Sequence, residues 1–199
     1  MPDSTELSLS PALLDKLRAR YAEPHRHYHS LAHVEALQRW FARYRTLARE
    51  PWVIDAAIRF HDAVYDTQRQ DNEQRSAALA HDELTALAWP AASVQRVAGL
   101  VLATQRHQAE VSDTDSWLFL DLDLSVLGQS PARYAAYADA VRAEYGWVEA
   151  SAYRAGRARV LRSFLERDRI YQTPVLHEAW ERAARANLQN ELASLTAPG

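Results

Sequence analysis

The stretch PHRHYHSLAHV places histidines at positions 25, 27, 29 and 33. An imidazole titrates near neutrality and can bind a metal, pass a proton or switch its charge, so the stretch alone leaves three kinds of chemistry open. Two other segments supply partners. AAIRFHDAVYDT carries the adjacent pair His61 and Asp62 with Asp66 beyond it, and FLDLDLSVLG carries Asp121 and Asp123. On a helix His61 and Asp62 point about 100° apart and can grip a cation from two directions. Asp66 then falls one turn beyond Asp62, on the same face. Asp121 and Asp123 are set among leucines, where an ionised carboxylate is expensive to bury without a cation or another partner. They lie two apart, so on a helix they face nearly opposite ways and only one of them reaches any given site. The chain has no cysteine. Disulfides, thiolate metal sites and cysteine nucleophiles are therefore excluded, and a metal must be held by nitrogen and oxygen.

The elements that position these residues read as helices throughout. Of 199 residues 48% are hydrophobic and only 5 are glycine, enough for one well-buried core in a single domain over 1–199. Apolar residues recur at three and four positions in about nine segments, from SPALLDKLRARY to TPVLHEAWERAARANLQNELASL. No segment alternates as a strand would. Prolines 11, 51, 131 and 174 stand where helices begin, and Gly128 follows an apolar run as a stop. The expected class is an all-α bundle of about nine helices. WLFLDLDLSVLG is expected as one helix, and PWVIDAAIRFHDAVY as another that carries the His-Asp pair. The start of the chain lacks the basic and apolar regions of a signal peptide, and no apolar run is long enough to span a bilayer, which points to a cytoplasmic protein with no membrane partner. A net charge of −3 and a pI near 6.2 give no overall pull towards nucleic acid.

A histidine, a His-Asp pair and a distant aspartate, all on helices, resemble the pattern of HD-domain metal-dependent phosphohydrolases. The likeness extends through YHSLAHV, FHDAVYD, DNEQRSA, LATQRH, FLDLDLSVLG and GRARVLRSFLERDRIY, which are similar in order to a bacterial subgroup of that superfamily and cover most of the chain. The resemblance implies that His33, His61, Asp62 and Asp123 are metal ligands. Asp123 is preferred to Asp121 because the second half of LDLDLSVL fits the family's motif better. YHSLAH has the spacing of a Tyr-His-x-x-x-His segment of cyclic nucleotide phosphodiesterases, which implies His33 as ligand and His29 as general acid; a ring that merely orders the loop is an equal alternative for His29. HDAVYDT is similar to a His-Asp-x-x-Glu-Asp segment of alarmone hydrolases, which implies that Asp66 helps activate water. Tyr65 replaces the glutamate there and counts against an alarmone as substrate. A carboxylate with local hydrogen bonds at a helix end is the plainer reading of Asp66.

The remaining candidates are weighed singly. His107 at the end of VLATQRH is a ligand for a second metal or for a phosphate oxygen, or else a helix-end histidine interacting with the dipole. His81 reads as a structural helix residue. Arg75 in DNEQRSA, beside Glu73, is the candidate phosphate ligand, and Arg157 and Tyr171 are weaker ones, because most arginines on an amphipathic helix are simply solvated. His25 and His27 read as solvent-facing loop residues.

The expected function is hydrolysis of a phosphate ester, in a nucleotide or other small phosphorylated metabolite, by metal-activated water. A divalent cation with open positions lowers the pKa of water and neutralises phosphoryl charge. The nitrogen and oxygen set leaves Mn, Fe, Ni, Co, Zn and Mg open, with one metal or two. No Walker loop, dinucleotide turn or nucleophile elbow competes. Two alternatives stay open: an HD-type di-iron oxygenase, in which His81 and His107 complete a six-ligand set, and a catalytically idle nucleotide-binding domain.

Overall fold

The structure is a computed structural model that describes residues 7–110 and 112–197. It is all-α, with nine α-helices and no strand among the described residues. The chain divides into two compact units, 1–120 and 121–199.

The first unit is built around α3 (Pro51–Phe60). Its residues Val53, Ile54, Ala56, Ala57, Ile58 and Phe60 are all buried, while Asp55 and Arg59, one turn apart, pair at 2.9 Å on its half-buried face. Three helices cover it: α2 (Leu31–Tyr44), α4 (Asn72–Ala86) and α5 (Ala91–Ala103). Helix α2 buries His33, Val34, Leu37 and Phe41. His33 therefore stands on the same stripe as Leu37 and Phe41, one and two turns away. Helix α1 (Pro11–Tyr21) starts at Ser10, whose hydroxyl accepts the Leu13 N–H at 3.2 Å.

Helix α6 (Thr114–Asp123) runs through the boundary between the units, and its first turn belongs to the first. Asp115 is buried there. Its carboxylate accepts the backbone N–H groups of Arg49 at 2.9 Å and Glu50 at 2.8 Å, which fixes the entry to α3. Asp113 opens α6 itself by accepting the Ser116 N–H at 3.1 Å, and it pairs through both oxygens with Arg96 on α5.

WLFLDLDLSVLG, which runs from the first unit into the second, does not form one helix: α6 stops at Asp123 and a 3-10 turn covers Leu124–Gly128. The reason lies in α9 (Pro174–Thr196), against which the turn packs. A Cβ on Gly128 would stand 2.5 Å from Trp180 Cβ, so the turn touches the α9 surface directly. Asn187 of α9 donates to the carbonyls of Leu127 at 2.8 Å and Gln129 at 2.9 Å, and the Tyr171 hydroxyl donates to that of Leu124 at 2.9 Å. These donors take carbonyls that α-helical continuation would have used. Helices α7 (Pro131–Glu144) and α8 (Ala150–Leu165) complete the second unit. Arg157 is committed within it, to Glu191 at 2.8 and 3.0 Å and the Tyr137 hydroxyl at 3.2 Å, and Tyr171 is fully buried against Trp180. Both are packing residues here, which corrects their candidacy for phosphate. All four prolines, 11, 51, 131 and 174, open helices as their missing N–H allows.

Two glycine exchanges should act in opposite directions. Ala88 closes α4 at φ 56 while Trp89 N–H reaches back to the Leu84 carbonyl at 3.0 Å, a left-handed stop that glycine adopts without penalty. Ala88→Gly should raise stability by about 1 kcal/mol and Gly128→Ala should lower it by roughly 1–3 kcal/mol in urea unfolding.

A pH test concerns Asp113. Burial pushes its carboxyl up, but hydrogen bonds from Arg96 and Ser116 outweigh that and hold it at about 2. A carboxyl lowered in the folded state adds stability above its unfolded pKa and loses it as pH falls through the folded value. Between pH 4 and 2 the parent should therefore lose stability more steeply than Asp113→Asn, measured by urea midpoints across that range.

Candidate metal centre

Helix α3 delivers His61 at its end, not in its interior. It closes at Phe60, with His61 as C-cap and Asp62 in the following turn. The expected helix through PWVIDAAIRFHDAVY is thus too long, and Asp66 does not lie one helical turn beyond Asp62. The physical reason is that side chains from elsewhere take the carbonyls that a continuing helix would need. The Tyr21 hydroxyl donates to the Arg59 carbonyl at 3.1 Å, and Arg26 donates to those of Asp62 at 2.7 Å and Ala63 at 3.3 Å. Ser76 on α4 bridges Val64, accepting its N–H at 3.0 Å and donating to its carbonyl at 3.3 Å.

Three side chains meet at this end. His33, His61 and Asp62 offer ligand atoms that all lie within 4.8 Å of one another. The two Nε2 atoms are 3.2 Å apart, and Asp62 Oδ2 is 2.9 Å from His61 Nε2. Ligands about 2.0–2.1 Å from a shared ion, at octahedral or tetrahedral angles, stand roughly 2.9–3.4 Å apart, so the nitrogen pair has the spacing of two ligands of one cation. His61 is also oriented for that role. Its Nδ1 is 2.9 Å from the Ile58 carbonyl, which can only accept, so Nδ1 carries the proton and the Nε2 lone pair faces His33 and Asp62. The group can hold a metal ion.

Around this group stand the histidine-rich loop and Tyr65. The half-buried His29 ring stacks on Tyr65 at 4.4 Å between centroids and meets His33 edge-on at 6.1 Å. His25 is exposed, as expected, but is not idle: its Nε2 bonds the Tyr65 carbonyl at 2.9 Å. Asp66 shapes the loop that follows, accepting the Gln68 N–H on Oδ1 at 2.9 Å while Asn72 holds its own N–H and carbonyl.

Of the other histidine candidates, neither His81 nor His107 belongs to the three-residue group. His81 is exposed on α4 with Nδ1 3.2 Å from Asp82, and Arg75 is exposed on the same helix. His107 follows α5 in the left-handed region, at φ 47, a conformation in which histidine is enriched at chain reversals.

Asp121 and Asp123 belong to the second unit and divide clearly there. Asp121 is buried, and its two oxygens accept the N–H groups of Gln172 at 3.0 Å and Thr173 at 2.6 Å, just before α9. Burial pushes its carboxyl up to about 6 against the opposing pull of those bonds. It is a backbone clamp. Asp123, two residues on, is partly exposed.

Arg26 is the residue of this region that the spacing of histidines conceals. Its side chain is fully buried between the Tyr21 and Tyr65 rings, with its guanidinium carbon 5.2 and 5.4 Å from their centroids. Glu23 balances its charge through a 3.0 Å bond to Nε, and the Glu23–Arg26 spacing was the one available signal. Comparison of the chain with protein-family models, curated proteins and solved structures gives no match in any of the three.

The His61 tautomer is directly testable. Long-range proton–nitrogen NMR of the protein titrated with zinc near pH 8 should show one histidine with a protonated Nδ1 and a metal-bound Nε2, lost in His61→Gln. An Nε2–H tautomer would remove the orientation described above.

Proposed function

We propose that this protein is an HD-type, metal-dependent phosphohydrolase acting on a small phosphorylated metabolite. One observation carries the reading: two imidazole nitrogens and a carboxylate converge at the end of a buried helix with the spacing of ligands to one ion. His33, His61 and Asp62 would hold the cation. In the pattern that the sequence resembles, the fourth ligand is an aspartate of the LDLDL segment, and Asp123 is the one whose flanking residues fit that pattern better.

When bound, a divalent cation lowers the pKa of water and neutralises charge on a phosphoryl oxygen. The chain's own groups do the rest. His61 is held in one tautomer by the Ile58 carbonyl, so no reorganisation of the ring is needed when a ligand atom is required of it. The Asp62 carboxylate beside it adds negative charge that favours the cation. His29, four residues before His33, would give a proton to the departing oxygen; its ring stacks on Tyr65 and lies 6.1 Å from that of His33. Among the described residues no helix is long and apolar enough to cross a membrane, which suits a small diffusible substrate without requiring one.

The test combines elemental analysis of purified protein with a hydrolysis screen of nucleotides, phosphomonoesters and phosphodiesters, each cation being added in turn. His61→Ala, Asp62→Ala and Asp123→Ala should lose metal and activity while remaining helical by circular dichroism, whereas Asp121→Ala should lose stability and keep metal. Full metal retention in Asp62→Ala would overturn the reading. His29→Ala should keep its metal and slow the chemical step by roughly 10²–10⁴ with an alkoxide leaving group, the usual range for general acid catalysis, and by much less with p-nitrophenolate. Equal slowing on both would make His29 a structural ring.

A further inference from the structure

Three of the four proposed ligands come from two stretches of chain, the helix start at His33 with the His29 loop before it and the turn at His61–Asp62, and a single buried nitrogen joins these stretches. Arg26 Nη1 donates to the His29 carbonyl at 3.0 Å and to the Asp62 carbonyl at 2.7 Å. A terminal guanidinium nitrogen has two protons, and both are used, one on each stretch. Nη2 reaches the Ala63 carbonyl at 3.3 Å, and Nε is turned the other way, towards Glu23. We propose that Arg26 is a positioning residue of the metal centre, setting the separation between the His29–His33 stretch and Asp62 through their backbones. This rests on the metal reading given above.

Three features make the role specific to arginine. The donors must leave one plane in fixed directions to reach three carbonyls of two segments, which the guanidinium fork does and an ammonium point charge does not. The Tyr21 and Tyr65 rings pack near it, with centroids 5.2 and 5.4 Å from the guanidinium carbon. The third feature is leverage: the bond falls on the carbonyl of Asp62 itself, so its direction fixes the Cα from which a ligand side chain extends. Ligand distances in metal sites are held to about 0.2 Å, a tolerance that a loosened backbone exceeds easily.

The experiment is a cobalt(II) titration of the full chain, followed by d–d absorption, on the parent, Arg26→Lys and Leu84→Ala. Lysine keeps the charge and removes the fork. Leu84 is fully buried in α4, a helix that carries no proposed ligand, and has no polar side-chain atom, so its truncation reports the effect of lost stability. Arg26→Lys should weaken cobalt binding by about 10- to 100-fold, as loss of a supporting partner of a ligand does, and should alter the absorption envelope. Leu84→Ala, well below its own melting temperature, should bind as the parent does. Cobalt binding by Arg26→Lys as tight as the parent's with the same spectrum, or an equal loss in Leu84→Ala, would overturn the proposal. Should Arg26→Lys fail to fold, Glu23→Gln, which frees the guanidinium from its counter-charge, should show a smaller loss of the same sign, and an unchanged affinity there overturns it. A parent chain that gives no cobalt signal would instead refute the metal reading itself, and this inference with it.

Discussion

A helix whose last turn lies in the core, as Ala57, Ile58, Phe60 and His61 do, cannot hand its terminal carbonyls to water. Each carbonyl or N–H left without a partner in such a place costs roughly 1–3 kcal/mol, so the end of α3 must be met by side chains. Tyr21, Arg26, Ser76 and the His61 ring meet it, each on a different carbonyl. The site is a by-product of that requirement. The groups that satisfy the helix end also orient His61, fix the backbone of Asp62 and bring the histidine-rich loop alongside.

Carboxylates serve the same requirement at the opposite polarity. Asp115 receives the N–H groups that lead into α3, and Asp121 receives those that lead into α9. Both are buried, and both spend their two oxygens on consecutive backbone donors. Asp62 differs in having an oxygen 2.9 Å from an imidazole nitrogen, and it is only half-buried.

Much of this was legible in the sequence where the determinants are local. The helical period and the prolines at helix starts follow from residues within a few turns of each other. The end of α3 was not, because what stops it is remote: Arg26 stands 36 residues before Asp62, and Ser76 stands 12 after Val64. FHDAVYD keeps an apolar pattern compatible with helix, and only the captured carbonyls show otherwise. The LDLDL pair shows the same division. Opposed faces for Asp121 and Asp123 follow from helical geometry, but the partners of Asp121 lie 51 and 52 residues downstream.

Because α3 is gripped at both ends, by Asp115 at its entry and by Tyr21 and Arg26 beyond its exit, it works as a ruler whose length sets the angular phase of His61. Each residue of an α-helix advances the chain about 1.5 Å and rotates it about 100°. One inserted or deleted residue between Pro51 and Phe60 would swing the imidazole away from His33 while leaving the composition of the helix almost unchanged. An exchange of one core side chain for another of similar volume leaves the phase untouched. Evolutionary drift in this segment should therefore run through substitution at constant length, with insertions and deletions confined to the stretches on either side of the grip.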